Sequence, residues 1–198
     1  MSARRSPFNL PNVLTYGRIL AVPVIVGLLF WPEDHGWRWL ALAIYAAAAI
    51  TDFFDGYLAR MWSQQSSMGR ILDPIADKLL IGAVLLMLVY INAIEGWSVW
   101  AAIVILCREM LVSGLREFLA EVHVSVPVSQ LAKWKTTMQL VALGFLIAGP
   151  AGNDLLPAGW TQIIGISLLW IAATLTLYTG YDYFKAGIRH VLEDDGQA

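Results

Sequence analysis

Asp52-Phe-Phe-Asp55-Gly56-Tyr-Leu-Ala59-Arg60, eight further residues, then Gly69-Arg-Ile-Leu-Asp73-Pro-Ile-Ala-Asp77: the reading of this stretch decides the reading of the chain. On a helix, Asp52 and Asp55 at i, i+3 share a face with Gly56. Gly69, Asp73 and Asp77, at i, i+4 and i+8, share another. Long apolar runs flank the two clusters, Leu40 to Ile50 before the first and Leu79 to Ile91 after the second. An aspartate carried to mid-membrane depth costs roughly 2.5–3.5 kcal/mol. Four unpaired carboxylates would therefore cost on the order of 10 kcal/mol, before their mutual repulsion. Within the stretch only Arg60, Arg70 and Lys78 are cationic, so a bound divalent metal is the simplest compensation. The alternative is a helical hairpin with solvated acidic ends, which has no need of two glycines and Ala59 in register.

The rest of the chain agrees with a membrane setting. Its 198 residues are one domain's length, and 58% are hydrophobic against 14% charged. That is too little charge for a soluble surface of this size. The net charge of -2 says nothing about partners, and no nucleic-acid partner is expected. The single cysteine, Cys107, lies in an apolar run, which excludes a disulfide framework and reads as a buried, inert thiol. Low-complexity segments and internal repeats are lacking.

The expected fold is all-α and polytopic, a single domain over 1–198 with six transmembrane helices and a short amino-terminal interfacial amphipathic helix. Phe8 to Arg18 mixes Phe8, Leu10, Val13 and Leu14 with Asn9, Asn12 and Thr15, which suits a helix lying in the interface. Ile19 to Trp31 is uninterrupted but too short to span alone, so the first span recruits the preceding turn or two. No small-x-small cleavage site follows Phe30, and this first span is expected to be retained. Five further spans are expected near 37–60, 70–93, 97–120, 131–149 and 160–184, joined by connectors rich in Pro, Gly, Asn and acid. Tryptophans gather beside the connectors at 32–36, 94–96 and 150–159, an aromatic belt at one interface. Of thirteen lysines and arginines, Arg38 alone lies beside those connectors. The positive-inside rule then places both termini and the 52–77 stretch in the cytoplasm.

Asp-x2-Asp-Gly-x2-Ala-Arg-x8-Gly-x3-Asp-x3-Asp resembles, at all eight fixed positions, the signature of the CDP-alcohol phosphatidyltransferase family. The resemblance implies a phosphoryl-transfer site with two divalent ions, Mg2+ or Mn2+. In such a site an alcohol attacks the lipid-side phosphorus of a CDP-linked lipid and expels CMP. Asp52, Asp55 and Asp73 are then metal ligands, and Asp77 is the general base for the attacking hydroxyl, in contact with metal as well. Gly56 and Gly69 would let the nucleotide approach the helix backbone, Ala59 would keep that groove open, and Arg60 would pair with a phosphate. Helix–helix packing is the bland reading of both glycines. Asn12 and Thr15 resemble a segment that borders the nucleotide in bacterial members, although capping and interface solvation account for them equally well.

The outer segments narrow the resemblance. Arg108-Glu109-x5-Leu-Arg116-Glu117 and Lys133-x-Lys135-Thr-x2-Gln139 are similar to the branch of that family that uses sn-glycerol 3-phosphate as acceptor. Two lysines at a helix start oppose the helix dipole, so an anionic ligand explains them; positive-inside bias explains them too. Arg108, Arg116, Lys133 and Lys135 are the candidate acceptor-phosphate residues, with intramembrane ion pairing among Arg108, Glu109 and Arg116 as the alternative. The implied reaction passes phosphatidyl from CDP-diacylglycerol to the 1-hydroxyl of sn-glycerol 3-phosphate. The implied setting is a homodimer among the lipids of a bacterial cytoplasmic membrane. Two rivals stand beside it. One is a sibling enzyme whose acceptor is inositol phosphate, serine or a lipid. The other is a cation transporter, which would be expected to show related halves, and no second copy of the motif occurs.

Overall fold

Apolar runs punctuated by Pro, Gly and acidic connectors fold as six α-helices among the described residues. In the computed structural model the backbone is described over 10–62, 67–121 and 130–195, and side chains over 12–51, 72–120, 130–181 and 183–185. The helices are α1 (Leu10–Leu29), α2 (His35–Trp62), α3 (Ser67–Tyr90), α4 (Ser98–Glu121), α5 (Gln130–Ala148) and α6 (Trp160–Asp195). A 3-10 turn, Gly149–Asp154, leads from α5 toward α6. No strand is present among the described residues. Helix limits fall within a few residues of the expected spans except at the end of α6, which runs on to Asp195. Apolar length sets how much of a helix a bilayer covers, whereas the helix itself continues until the backbone is interrupted.

Among the described residues three stretches are long and apolar enough to cross a membrane, Asn12–Leu29, Ser98–Ala120 and Trp160–Lys185, each with mean hydropathy 1.7. The fold is therefore that of an α-helical membrane protein. Helix α5 packs along α6, α4 also lies on α6, and α1 lies on both α2 and α3. Ile25, Leu29, Leu85, Leu88, Ile105, Leu143, Leu146 and Leu169 are fully buried between them. A Cβ at Gly165 would stand 2.8 Å from Leu146 Cγ, so a residue without a side chain lets α5 and α6 approach closely.

Two expectations need correction. No separate interfacial helix forms over the described part of 8–18: Leu10 to Leu29 is one continuous helix, and Phe8 and Asn9 lie outside the described residues. Asn12, Thr15 and Arg18 recur every three residues, and at 3%, 1% and 2% exposure they face the bundle rather than water. Thr15 Oγ1 donates to Asp73 Oδ1 on α3 at 2.5 Å, so the polar stripe of α1 is directed at polar groups of a neighbouring helix. Cys107, expected to be buried, is exposed on α4. In a bilayer an apolar neighbourhood does not imply burial, since lipid is as apolar as a core.

The connectors 30–34, 91–97 and 149–159 share one end of the bundle, where side chains satisfy backbone groups. Asp34 Oδ1 caps α2, accepting from the amides of Gly36 (2.7 Å) and Trp37 (3.2 Å). Arg38, 3% exposed, donates through Nε to Pro32 O at 2.6 Å and through Nη1 to Ile147 O at 3.0 Å. Gly149, at φ +47, turns the chain against that guanidinium, where a Cβ would lie 2.4 Å from Nη1. Gln162 Nε2 donates to Ala93 O at 2.7 Å. Trp31, Trp37, Trp97, Trp100 and Trp160 are exposed at this end, as an interfacial belt requires.

Candidate active site

The opposite end carries the charge. There α3 to α6 surround a cleft of about 650 Å³, lined by five basic and three acidic side chains. Helix α3 contributes Asp77 and Lys78. Helix α4 contributes Arg108 and Glu109 and, two turns further on, Arg116, which the helical repeat aligns with Glu109. Helix α5 brings Lys133, Lys135 and Thr136, and α6 closes the cleft with Tyr183. Asp77 is thus gathered with all four basic residues expected from the sequence to hold the acceptor phosphate.

These cations are not equivalent. Lys135 is buried and its ammonium donates to Glu109 Oε1. Arg108 donates to the same oxygen through Nη1 at 3.3 Å and to Thr179 Oγ1 through Nη2 at 2.9 Å. One carboxylate oxygen therefore serves two cations. Arg116 stands over the Tyr183 ring, 5.4 Å from its centroid, and its Nη2 donates to the phenol oxygen at 3.1 Å. Lys133 is exposed and makes no ion pair among the described residues. An anion entering this cleft meets an exposed ammonium at Lys133 and three cations held by neighbouring side chains, Arg108, Arg116 and Lys135.

A second, mostly aliphatic pocket of about 290 Å³ adjoins the cleft and shares Asp77, Lys78, Glu109 and Thr136 with it. Leu79, Gly82, Leu106 and Gln139 also line it.

Asp73 is half-buried, one turn before Asp77 on α3, and bound by Thr15. Asn12 is buried on the same side of α1 as Thr15. Asp52, Asp55, Gly56, Ala59 and Arg60 lie on α2 and Gly69 on α3, but their side-chain placement is outside the described residues. Among the described residues no group of three or more metal-ligating side chains occurs, and only Asp73 and Asp77 of the four aspartates are included. The four aspartates would supply oxygen donors only, the chemistry that suits a hard divalent cation.

Neither Glu109, which enters only through the ion-pairing alternative, nor Gln139 is among the candidate site residues read from the sequence, although both stand inside quoted motifs. Their signal is spacing: Glu109 adjoins Arg108, and Gln139 follows Lys135 by one helical turn. Thr179 and Tyr183 carry no local signal at all.

A membrane bundle with an acidic helix pair at one end and a basic cleft beside it defines a class. The chain belongs to the CDP-alcohol phosphatidyltransferase family, whose model matches residues 8–178. A relative from Rickettsia typhi is 51% identical over 178 residues, covering 90% of this chain and 96% of the relative. One from Shigella flexneri is 39% identical over 189 residues, covering 94% and 98%. One from Cereibacter sphaeroides is 35% identical over 218 residues, covering 94% and 99%. All three bear the name CDP-diacylglycerol–glycerol-3-phosphate 3-phosphatidyltransferase.

Proposed function

We propose that the protein transfers the phosphatidyl group of CDP-diacylglycerol to the 1-hydroxyl of sn-glycerol 3-phosphate, releasing phosphatidylglycerophosphate and CMP. The observation that carries this reading is the meeting of Asp77 with Arg108, Arg116, Lys133 and Lys135 in one cleft. A phosphorylated alcohol needs cations for its phosphate and a base for its hydroxyl, and this cleft offers both. The shared name of relatives at 35–51% identity supports the same acceptor. Asp77 takes the proton of the 1-hydroxyl as that oxygen bonds to the lipid-side phosphorus. The bond from that phosphorus to the oxygen bridging to CMP then breaks. Arg108 and Lys135, held in place by Glu109, grip the acceptor phosphate.

Asp52, Asp55, Asp73 and Asp77 would hold two divalent ions, Mg2+ or Mn2+. When bound, these would neutralise the pyrophosphate and the departing CMP. Thr15 fixes one oxygen of Asp73 and so orients the carboxylate. Asn12, Gly56, Ala59, Arg60 and Gly69 belong to the nucleotide side of the site in this reading.

The test is purified protein with CDP-diacylglycerol, Mg2+ and a panel of alcohols, scored by CMP release. Glycerol 3-phosphate should be used best. Faster turnover with inositol phosphate, serine or plain glycerol would leave only the family-level reaction standing.

In the same reading all six helices span a cytoplasmic membrane, with both termini and the cleft facing the cytoplasm. The basic asymmetry and the tryptophans at the opposite end support it. In intact cells, on a background lacking Cys107, an impermeant thiol reagent should label Asn153→Cys and spare Gln64→Cys. The reverse pattern inverts the topology.

A further inference from the structure

Gln139 has no part in the mechanism above. It stands on α5 four residues after Lys135, on the same side of the helix and about 6 Å deeper along its axis. The residue is 3% exposed, and its Oε1 has no hydrogen-bond partner among the described residues. Buried acceptors are rarely left this way, because the lost hydration is not replaced. The buried positions that follow on α5 are apolar, Ala142, Leu143, Leu146 and Ile147, so packing alone gives no reason for an amide here. Gln139 lines the aliphatic pocket, which shares Asp77, Glu109 and Thr136 with the basic cleft, and follows Thr136 by one helical turn.

A three-carbon acceptor phosphate fits this arrangement in one sense. With its phosphate on Lys135 and Arg108 and its 1-hydroxyl at Asp77, the middle carbon would lie between α3 and α5, where the cleft adjoins the pocket that Gln139 lines. The 2-hydroxyl on that carbon is a donor in search of an acceptor. We propose that Gln139 accepts a hydrogen bond from this 2-hydroxyl, making it a specificity-determining residue that selects a vicinal-diol phosphate over an alcohol phosphate lacking the second hydroxyl. The inference rests on the acceptor reading given above.

The test compares sn-glycerol 3-phosphate with 3-hydroxypropyl phosphate, the same chain without the 2-hydroxyl. CMP release is measured in mixed micelles of detergent and CDP-diacylglycerol with Mg2+. The unmodified enzyme should prefer glycerol 3-phosphate by roughly ten- to a hundred-fold in kcat/KM. Gln139→Met keeps length and volume but removes the amide. It should lose that preference, with the deoxy acceptor used to within about three-fold of the unmodified rate and glycerol 3-phosphate reduced to the same level. Equal use of both acceptors by the unmodified enzyme overturns the proposal whatever any variant does. So does a Gln139→Met enzyme that keeps its preference, or that loses activity toward both acceptors alike, as a merely structural residue would. If glycerol 3-phosphate supports no CMP release while another alcohol does, the acceptor reading itself has failed, and the signature is a different one.

Discussion

Asp77→Asn should reduce turnover by about 10²–10⁴-fold while CDP-diacylglycerol is still bound in a metal-dependent way. Asparagine keeps the shape of the side chain but cannot take a proton from the attacking hydroxyl. Asp77 is the one signature aspartate with a described side chain that lines the basic cleft, where the acceptor phosphate would sit. Asp73 instead meets α1 through Thr15. Asn at positions 52, 55 or 73 should therefore weaken metal binding itself and abolish turnover with it. CMP release together with titration of nucleotide-lipid binding, with and without Mn2+, separates the two behaviours. Near-normal turnover in Asp77→Asn removes it from the base role, and equal loss of binding in all four variants makes it one more ligand.

The acceptor's phosphate gives the next largest effect. A hydrogen bond to a charged group is worth about 1.5–3 kcal/mol, so losing one should raise KM for glycerol 3-phosphate roughly ten- to a hundred-fold. KM for CDP-diacylglycerol should stay within a few-fold. Lys133→Gln is the cleanest variant, because its exposed ammonium has no ion partner among the described residues to be orphaned. Lys135→Gln and Arg108→Gln should raise KM as well, with some loss of thermal stability, since each leaves Glu109 with one cation fewer. Plain glycerol should be a very poor acceptor. Unchanged KM in all three variants would move the acceptor phosphate to another set of residues.

Spacing along one helix was legible in the sequence, and relations between helices were not. The four aspartates, the Arg108–Arg116 pair and the two lysines are local patterns, so their helices and shared faces follow from a repeat of 3.6 residues. The helix limits followed from Pro, Gly and acidic connectors. Which way α1 turns its polar stripe did not follow, because water, headgroups and a polar cleft all accept Asn12, Thr15 and Arg18. The exposure of Cys107 was hidden for the converse reason: lipid accepts any apolar face, so apolarity does not tell inside from outside. Glu109 and Lys135 lie 26 residues apart, and Arg108 and Thr179 lie 71 apart. No periodicity reaches across such distances.

The shared carboxylate oxygen of Glu109 has a consequence for what can occupy the cleft. Lys135 and Arg108 are not bare in the structure, because this chain places an anion of its own, Glu109, against both. An incoming phosphate takes part in an exchange: it displaces or shares with a resident carboxylate and gains only the difference. Inorganic phosphate offers little beyond what Glu109 already supplies, so it should be a weak occupant. A molecule that pairs its phosphate with hydroxyls reaching Asp77 and beyond gains contacts the resident cannot imitate. Placeholder chemistry of this kind turns a strongly basic cleft from a general anion trap into one that fills for the right alcohol.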